Sequence, residues 1–164
     1  MRRMGVLITA VVLLLAWVLA ALGVAPPGAQ PGDDFSYSAM RWMMALPVGG
    51  SALVSGFMHT VQRKKMAAMI GWESNGFQIE LGFASFGIGI AGIWATMLGP
   101  QAWLAISVIM SVFLLGAAAN HILEMVRDRN FAPGNSLILI YDIGLPVSLW
   151  ALLVGGGMLT GITG

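Results

Sequence analysis

Five long apolar stretches, separated by short polar gaps, restrict this chain more than any other feature. They run over residues 4–24, 42–62, 76–98, 101–126 and 136–160, each 21 to 26 residues long. About 20 apolar residues in a helix cross a hydrocarbon core. The rest of the 164-residue chain leaves no length for a water-soluble unit. A backbone in lipid must satisfy its own hydrogen bonds, so helices are the expected solution. The pattern predicts one domain, an all-α integral membrane bundle of five transmembrane helices: a four-helix core plus an N-terminal anchor. Composition agrees, with 58% hydrophobic and 9% charged residues, against about 25% charged in soluble domains. Eight Lys+Arg against seven Asp+Glu leave no basic surface to hold a nucleic acid. The absence of cysteine excludes disulfide scaffolds, thiolate metal sites and cysteine nucleophiles.

Basic residues set the expected orientation, because Lys and Arg accumulate in cytoplasmic loops. With the N-terminus inside, Arg2, Arg3, Arg63, Lys64, Lys65, Arg127 and Arg129 fall on the cytoplasmic side and only Arg41 outside. The expectation is a multi-pass protein of the cell's inner (plasma) membrane, N-terminus in and C-terminus out, with the lipid bilayer as its first partner. A membrane-protein partner or a homo-oligomer is compatible with that placement. Arg2 and Arg3 before an apolar run also open a secretory signal. The length of the run and Pro26 directly after Gly23-Val24-Ala25 favour a retained anchor.

The connections carry their own expectations. Gly99-Pro100 is so tight a turn that it predicts the third and fourth spans as antiparallel neighbours. In Ala132-Pro133-Gly134-Asn135 the turn residues place Asn135 or Ser136 to cap the fifth helix. Residues 66–72 read either as a segment lying in the membrane interface or as the frayed end of the second helix. Asp33 and Asp34 read as solvated loop charges, and Trp42, Trp72 and Trp103 as interfacial aromatics. On the third span, Gly82, Ser85, Gly89 and Gly92 form one small-residue stripe, and Glu80, Ala84, Gly87 and Ala91 form another. Small residues let helices approach closely in lipid, so two stripes predict a central helix with Glu80 on a packed face.

The ionisable residues inside the spans are His59, Glu80, His121, Glu124 and Asp142. Counting helical rise from the nearest cytoplasmic loop puts them about 6, 7.5, 9, 4.5 and 10 Å deep, respectively. Four helices thus bring titratable groups to one level, each costly in hydrocarbon unless paired or facing a cavity. His121 and Glu124 share a helix face, with Asn120 adjacent. Asp142 precedes Pro146, which cannot donate to the Asp142 carbonyl. Imidazole and carboxylate suit a transition metal, iron, manganese or zinc, of which the first two would make a redox centre. On that reading His59, Glu80, His121 and Asp142 are the metal ligands, with Glu124 a possible fifth and Asn120 in support. Three other readings use the same residues: a satisfied polar network in an accessory or structural subunit, a proton-coupled or small-molecule transporter, and a b-type haem between His59 and His121, which the extra carboxylates disfavour.

The runs Met58-His59-Thr60, Phe77-Gln78-Ile79-Glu80-Leu81-Gly82-Phe83-Ala84, Asn120-His121-Ile122, Ala132-Pro133-Gly134-Asn135 and Tyr141-Asp142-Ile143 resemble those of a family of small bacterial multi-helix membrane proteins of unknown function. The resemblance covers residues 54–146 and leaves the first span outside. It implies the fold and the membrane location, and no activity.

Overall fold

The computed structural model describes residues 2–160, with side chains over residues 7–160. The side chains of Arg2 and Arg3, counted above for orientation, lie outside the described ones. The described chain is helical: α1 (Arg2–Ala21), α2 (Phe35–Met43), a π-helical segment (Met44–Gly50), α3 (Ser51–Thr60), α4 (Arg63–Ile70), α5 (Phe77–Ala95), α6 (Pro100–Arg127), α7 (Pro133–Ser136) and α8 (Leu139–Gly155). Local chemistry explains the boundaries. Asp34 accepts from the Tyr37 N–H at 3.0 Å and caps α2, so this helix starts before the stretch expected at residue 42. Pro100 opens α6, where its missing N–H costs nothing. Gly71, at φ +82°, ends α4 in the left-handed conformation.

Three helices are long and apolar enough to cross a membrane: Phe77–Ala95, Pro100–Arg127 and Pro133–Gly155. A fourth span results if Phe35–Thr60 is taken with Arg63–Ile70, from which it is bent by 104°. The described part of the first expected span, Leu7–Ala21, is a shorter apolar helix. That bend makes α4 a separate short helix, so the 66–72 segment is not the frayed end of a straight span. The apolar windows of α5 and α6 are only 28% and 33% buried. In water so much exposed apolar surface would associate.

Packing divides the bundle into two pairs. α5 lies against α3 and the π-helical segment, and α6 lies against α8, while α1 packs on α2, α7 and α8. The core between them holds Met40, Met43, Met44, Val48, Trp103, Leu145, Leu149 and Leu153. Although the Gly99-Pro100 turn joins α5 to α6, each helix finds its main partner elsewhere. The two helices do touch, as expected of neighbours joined by so short a turn, but the turn fixes where they meet and not which side chains hold each of them.

The expectation of two packed stripes is corrected. Gly82, Ser85, Gly89 and Gly92 are buried, whereas Glu80, Ala84, Gly87 and Ala91 are exposed. Helix α5 has one packed side and sits at the edge. A Cβ on Gly82 would lie 2.5 Å from the Thr60 side chain, and one on Gly89 would lie 2.9 Å from the Leu53 nitrogen. Glycine is what lets α5 touch the α3 backbone, while Gly87 meets nothing within 4 Å.

Within the π-helical segment Pro47 is buried, and the Tyr141 hydroxyl donates to its carbonyl at 2.6 Å. This bond ties the distorted span to α8. Tyr141→Phe is expected to cost about 1 kcal/mol, the value of a buried hydrogen bond lost from one side, measured by unfolding in detergent.

At the end of the bundle holding Gly99 and Pro100, Arg41 is 3% exposed. Its Nε donates to Asp33 Oδ2 at 2.7 Å, and its Nη1 donates to the carbonyls of Thr96 and Leu98. The guanidinium lies 5.1 Å from the Trp103 ring centroid, and the Trp103 indole donates to the Ala95 carbonyl at 2.8 Å. Asp33 is thus the partly buried partner of Arg41 and not a free loop charge, and Trp103, fully buried, is not an interfacial aromatic. Burial pushes the Asp33 carboxyl up. The hydrogen bond from Arg41, the Gln30 N–H and the Arg41 charge outweigh it and hold the group below the usual carboxylate value.

Candidate functional site

The opposite end of the bundle holds the ionisable residues singled out above, and the structure brings only two of them together. His121 on α6 and Asp142 on α8 are buried, 8% and 3% exposed, with Nε2 and Oδ2 3.9 Å apart. The α6–α8 packing sets this pairing. His121 continues the buried face of Leu114 and Ala118, and Asp142 follows Tyr141 on the buried side of α8.

The third member of the site is Asn135, which is fully buried in α7. Its Nδ2 donates to the backbone carbonyls of His121 at 3.1 Å and Asn130 at 2.8 Å. Two carbonyls on one side of the amide fix which atom is nitrogen, so Oδ1 is the acceptor facing His121 Nδ1 at 2.6 Å. The imidazole therefore carries its hydrogen on Nδ1. Nε2 is left facing the carboxyl of Asp142, whose Oδ2 has no hydrogen-bond partner in the protein. Asn135 is thus not the helix cap the turn suggested: Ala132 takes the cap position of α7, and no side chain bonds there.

Helix α4 covers this group. Trp72 stacks on the His121 ring with centroids 5.6 Å apart and planes 25° from parallel. Asn130 clips the segment in place by donating to the Ile70 carbonyl at 3.0 Å, and its side chain occupies the space a Cβ on Gly71 would need. Gly134 is equally constrained, since a Cβ there would lie 2.5 Å from the Met69 carbonyl. Sequence patterning assigned Trp72 to the interface and Asn135 to a helix cap, and missed Asn130, because amides in short connections carry no helical period to read.

The remaining expected ligands lie apart. Glu80 is exposed on the outer side of α5, in its first turn, where a carboxylate gains from the helix dipole. Asn120 is exposed, and Glu124 is half-buried with Oε2 3.4 Å from Asn130 Nδ2. His59 is buried on α3 with Nδ1 unpaired. Among the described residues no three His, Cys, Asp or Glu side chains are grouped to hold a metal ion. The expected set of His59, Glu80, His121 and Asp142, with Glu124 and Asn120 beside it, is thus not grouped among the described residues, and the second α5 stripe carries Glu80 outward. The haem reading meets a similar obstacle: His121 has Nδ1 on Asn135, Nε2 toward Asp142 and one ring face under Trp72.

Comparison with known proteins places these residues in a family. The model of a family described as a family of unknown function (DUF6790) matches residues 5–156, so the first helix lies inside the family's extent and not outside it, as residues 54–146 suggested. No curated protein and no solved structure matches the chain.

Proposed function

Because the chain belongs to the DUF6790 family, whose description names no activity, we propose a function from the geometry of its buried polar group: proton handling in a membrane. On this reading the protein is a five-span bundle of the plasma membrane with the N-terminus inside. The His121–Asp142 pair sits toward its cytoplasmic face and takes up and releases the proton of a proton-coupled transporter. Long exposed apolar helices and the seven-to-one distribution of basic residues support the membrane placement. One observation carries the proton role. Asn135 holds His121 with its hydrogen on Nδ1, so Nε2 and the otherwise unpartnered Asp142 Oδ2 have one exchangeable proton to share. Intramembrane carboxylate and histidine pairs of this kind are the elements of proton relays.

Proton flux into liposomes containing the purified protein, driven by an imposed pH gradient and read by an internal dye, tests the proposal. The expected flux exceeds that of protein-free liposomes. Asp142→Asn, which keeps the shape and removes the exchangeable acid, is expected to reduce it by about tenfold, or 1.4 kcal/mol. Equal flux with and without the protein, or no loss in Asp142→Asn, would leave the pair as a structural link in an accessory subunit.

A further inference from the structure

Among the described residues, six buried side-chain nitrogen and oxygen atoms have no hydrogen-bond partner, and five of them belong to four residues near the His121 end: His59 Nδ1, Trp72 Nε1, Gln78 Nε2 and Oε1, and Asp142 Oδ2. The sixth, Ser107 Oγ, lies far along α6. A buried polar atom without a partner costs about 1–3 kcal/mol. Five at one end of a small bundle call for a common explanation.

Register brings two of these residues together. Ser55 Oγ and Ser85 Oγ are 3.5 Å apart across the α3–α5 seam. His59 lies one turn from Ser55, and Gln78 lies two turns from Ser85 in the same direction. The two side chains therefore stand on facing helices about 5 Å apart in height. Both are buried, at 8% and 7% exposed. Across the bundle, Trp72, in the segment after α4, and Asp142 of α8 flank His121.

We propose that these side chains line one polar chamber between the α3–α5 pair and the α6–α8 pair. It takes small molecules that both donate and accept hydrogen bonds, water foremost, and Trp72 is its stopper. The chemistry of the atoms selects this ligand class. Trp72 Nε1 only donates, the Gln78 amide does both, and His59 Nδ1 and Asp142 Oδ2 can each accept. An apolar occupant would satisfy none of them, and a lone cation would leave the donors unmatched. The chamber deepens the proton reading, on which its purpose rests: it would carry protons between solution and the His121–Asp142 pair.

The cysteine-free sequence makes accessibility a direct test. Gln78→Cys and His59→Cys, in membranes, are exposed to a small cationic methanethiosulfonate, which reacts with the hydrated thiolate. Both are expected to react on the order of tenfold faster than Ser107→Cys, a buried control outside the chamber, and faster still when combined with Trp72→Ala. Rates no greater than that of Ser107→Cys would overturn the chamber. A second measurement needs no substitution near the site: the indole N–H of Trp72 is expected to exchange with solvent faster than that of Trp103, which is buried and bonded to the Ala95 carbonyl. Equal protection of the two would overturn the chamber as well. Fast labelling without proton flux would keep the chamber and remove the proton role. Flux with slow labelling would do the reverse.

Discussion

Arg41→Met is expected to lower the unfolding free energy by about 1.5 to 3 kcal/mol, the value of charge-assisted hydrogen bonds lost around a buried guanidinium whose carboxylate partner is only partly buried. The methionine keeps the length of the side chain and loses every polar contact. Asp33, with its side chain 12% exposed, is left without its cation. The Thr96 and Leu98 carbonyls at the C-terminal end of α5 lose a donor where the helix dipole favours positive charge. Asp33→Asn is the milder comparison, at about 1 kcal/mol, since it leaves Arg41 its carbonyls and Trp103. The pH dependence has a definite sign. A carboxyl held below its unfolded value contributes stability that is fully present above about pH 4 and is lost as pH falls through the lowered folded pKa. The difference between wild type and Arg41→Met should therefore be largest near neutrality and shrink in acid by about the Asp33→Asn cost. Unfolding in detergent across that range measures both effects, and a loss below about 1 kcal/mol near neutrality would show that Arg41 does not lock this end.

The second large effect is expected at Gly92. A Cβ there would lie 2.9 Å from the Gly49 nitrogen and 2.8 Å from the Val48 side chain, so Gly92→Val must push α5 away from the π-helical segment. Overpacking of this kind costs about 1–3 kcal/mol, and the backbone neighbour, which cannot turn aside, puts this site at the upper end. Gly87→Ala is the matched control. With nothing within 4 Å and alanine the better helix former, it should be neutral or stabilising by up to about 1 kcal/mol. A thermal unfolding series in detergent that penalised the two substitutions equally would contradict the single packed side of α5.

The contrast between those glycines shows what can be read from periodicity. Both α5 stripes are small-residue stripes at helical spacing, and nothing along the chain distinguishes them. The choice is made by α3, whose Gly56 and Ser55 meet the Gly82 and Ser85 stripe, and Glu80 is consequently left outside. His121 and Asp142 were legible because ionisable groups inside apolar helices must find partners, and depth alone brought them level. Their orienting amide was not: Asn120 is next to His121 in sequence, but one residue along a helix turns a side chain by about 100°, and it faces away. Asn135 reaches the imidazole from a short helix after a loop of fourteen-residue separation. Arg41 was hidden by a sound rule. Counting charges by loop assigns a basic residue to a side of the membrane without asking whether a carboxylate eight positions earlier folds back to meet it.

The π-helical segment Met44–Gly50 works as a phase shifter within the longest bent span. Its wider turns take up sequence that an α-helix would spend on rotation, so α2 can aim Arg41 at the α5–α6 turn while α3, starting at Ser51, aims Ser55 and His59 at the α5 seam. The same seven residues wound as an ordinary α-helix would turn further and swing every α3 side chain by on the order of one residue's rotation, about 100°. Ser55 would leave Ser85, and Gly56 would no longer receive Phe86. The pitch of this segment is therefore as much a part of the design as the residues on either side, and a substitution that rewound it at constant length would uncouple the two ends of the bundle.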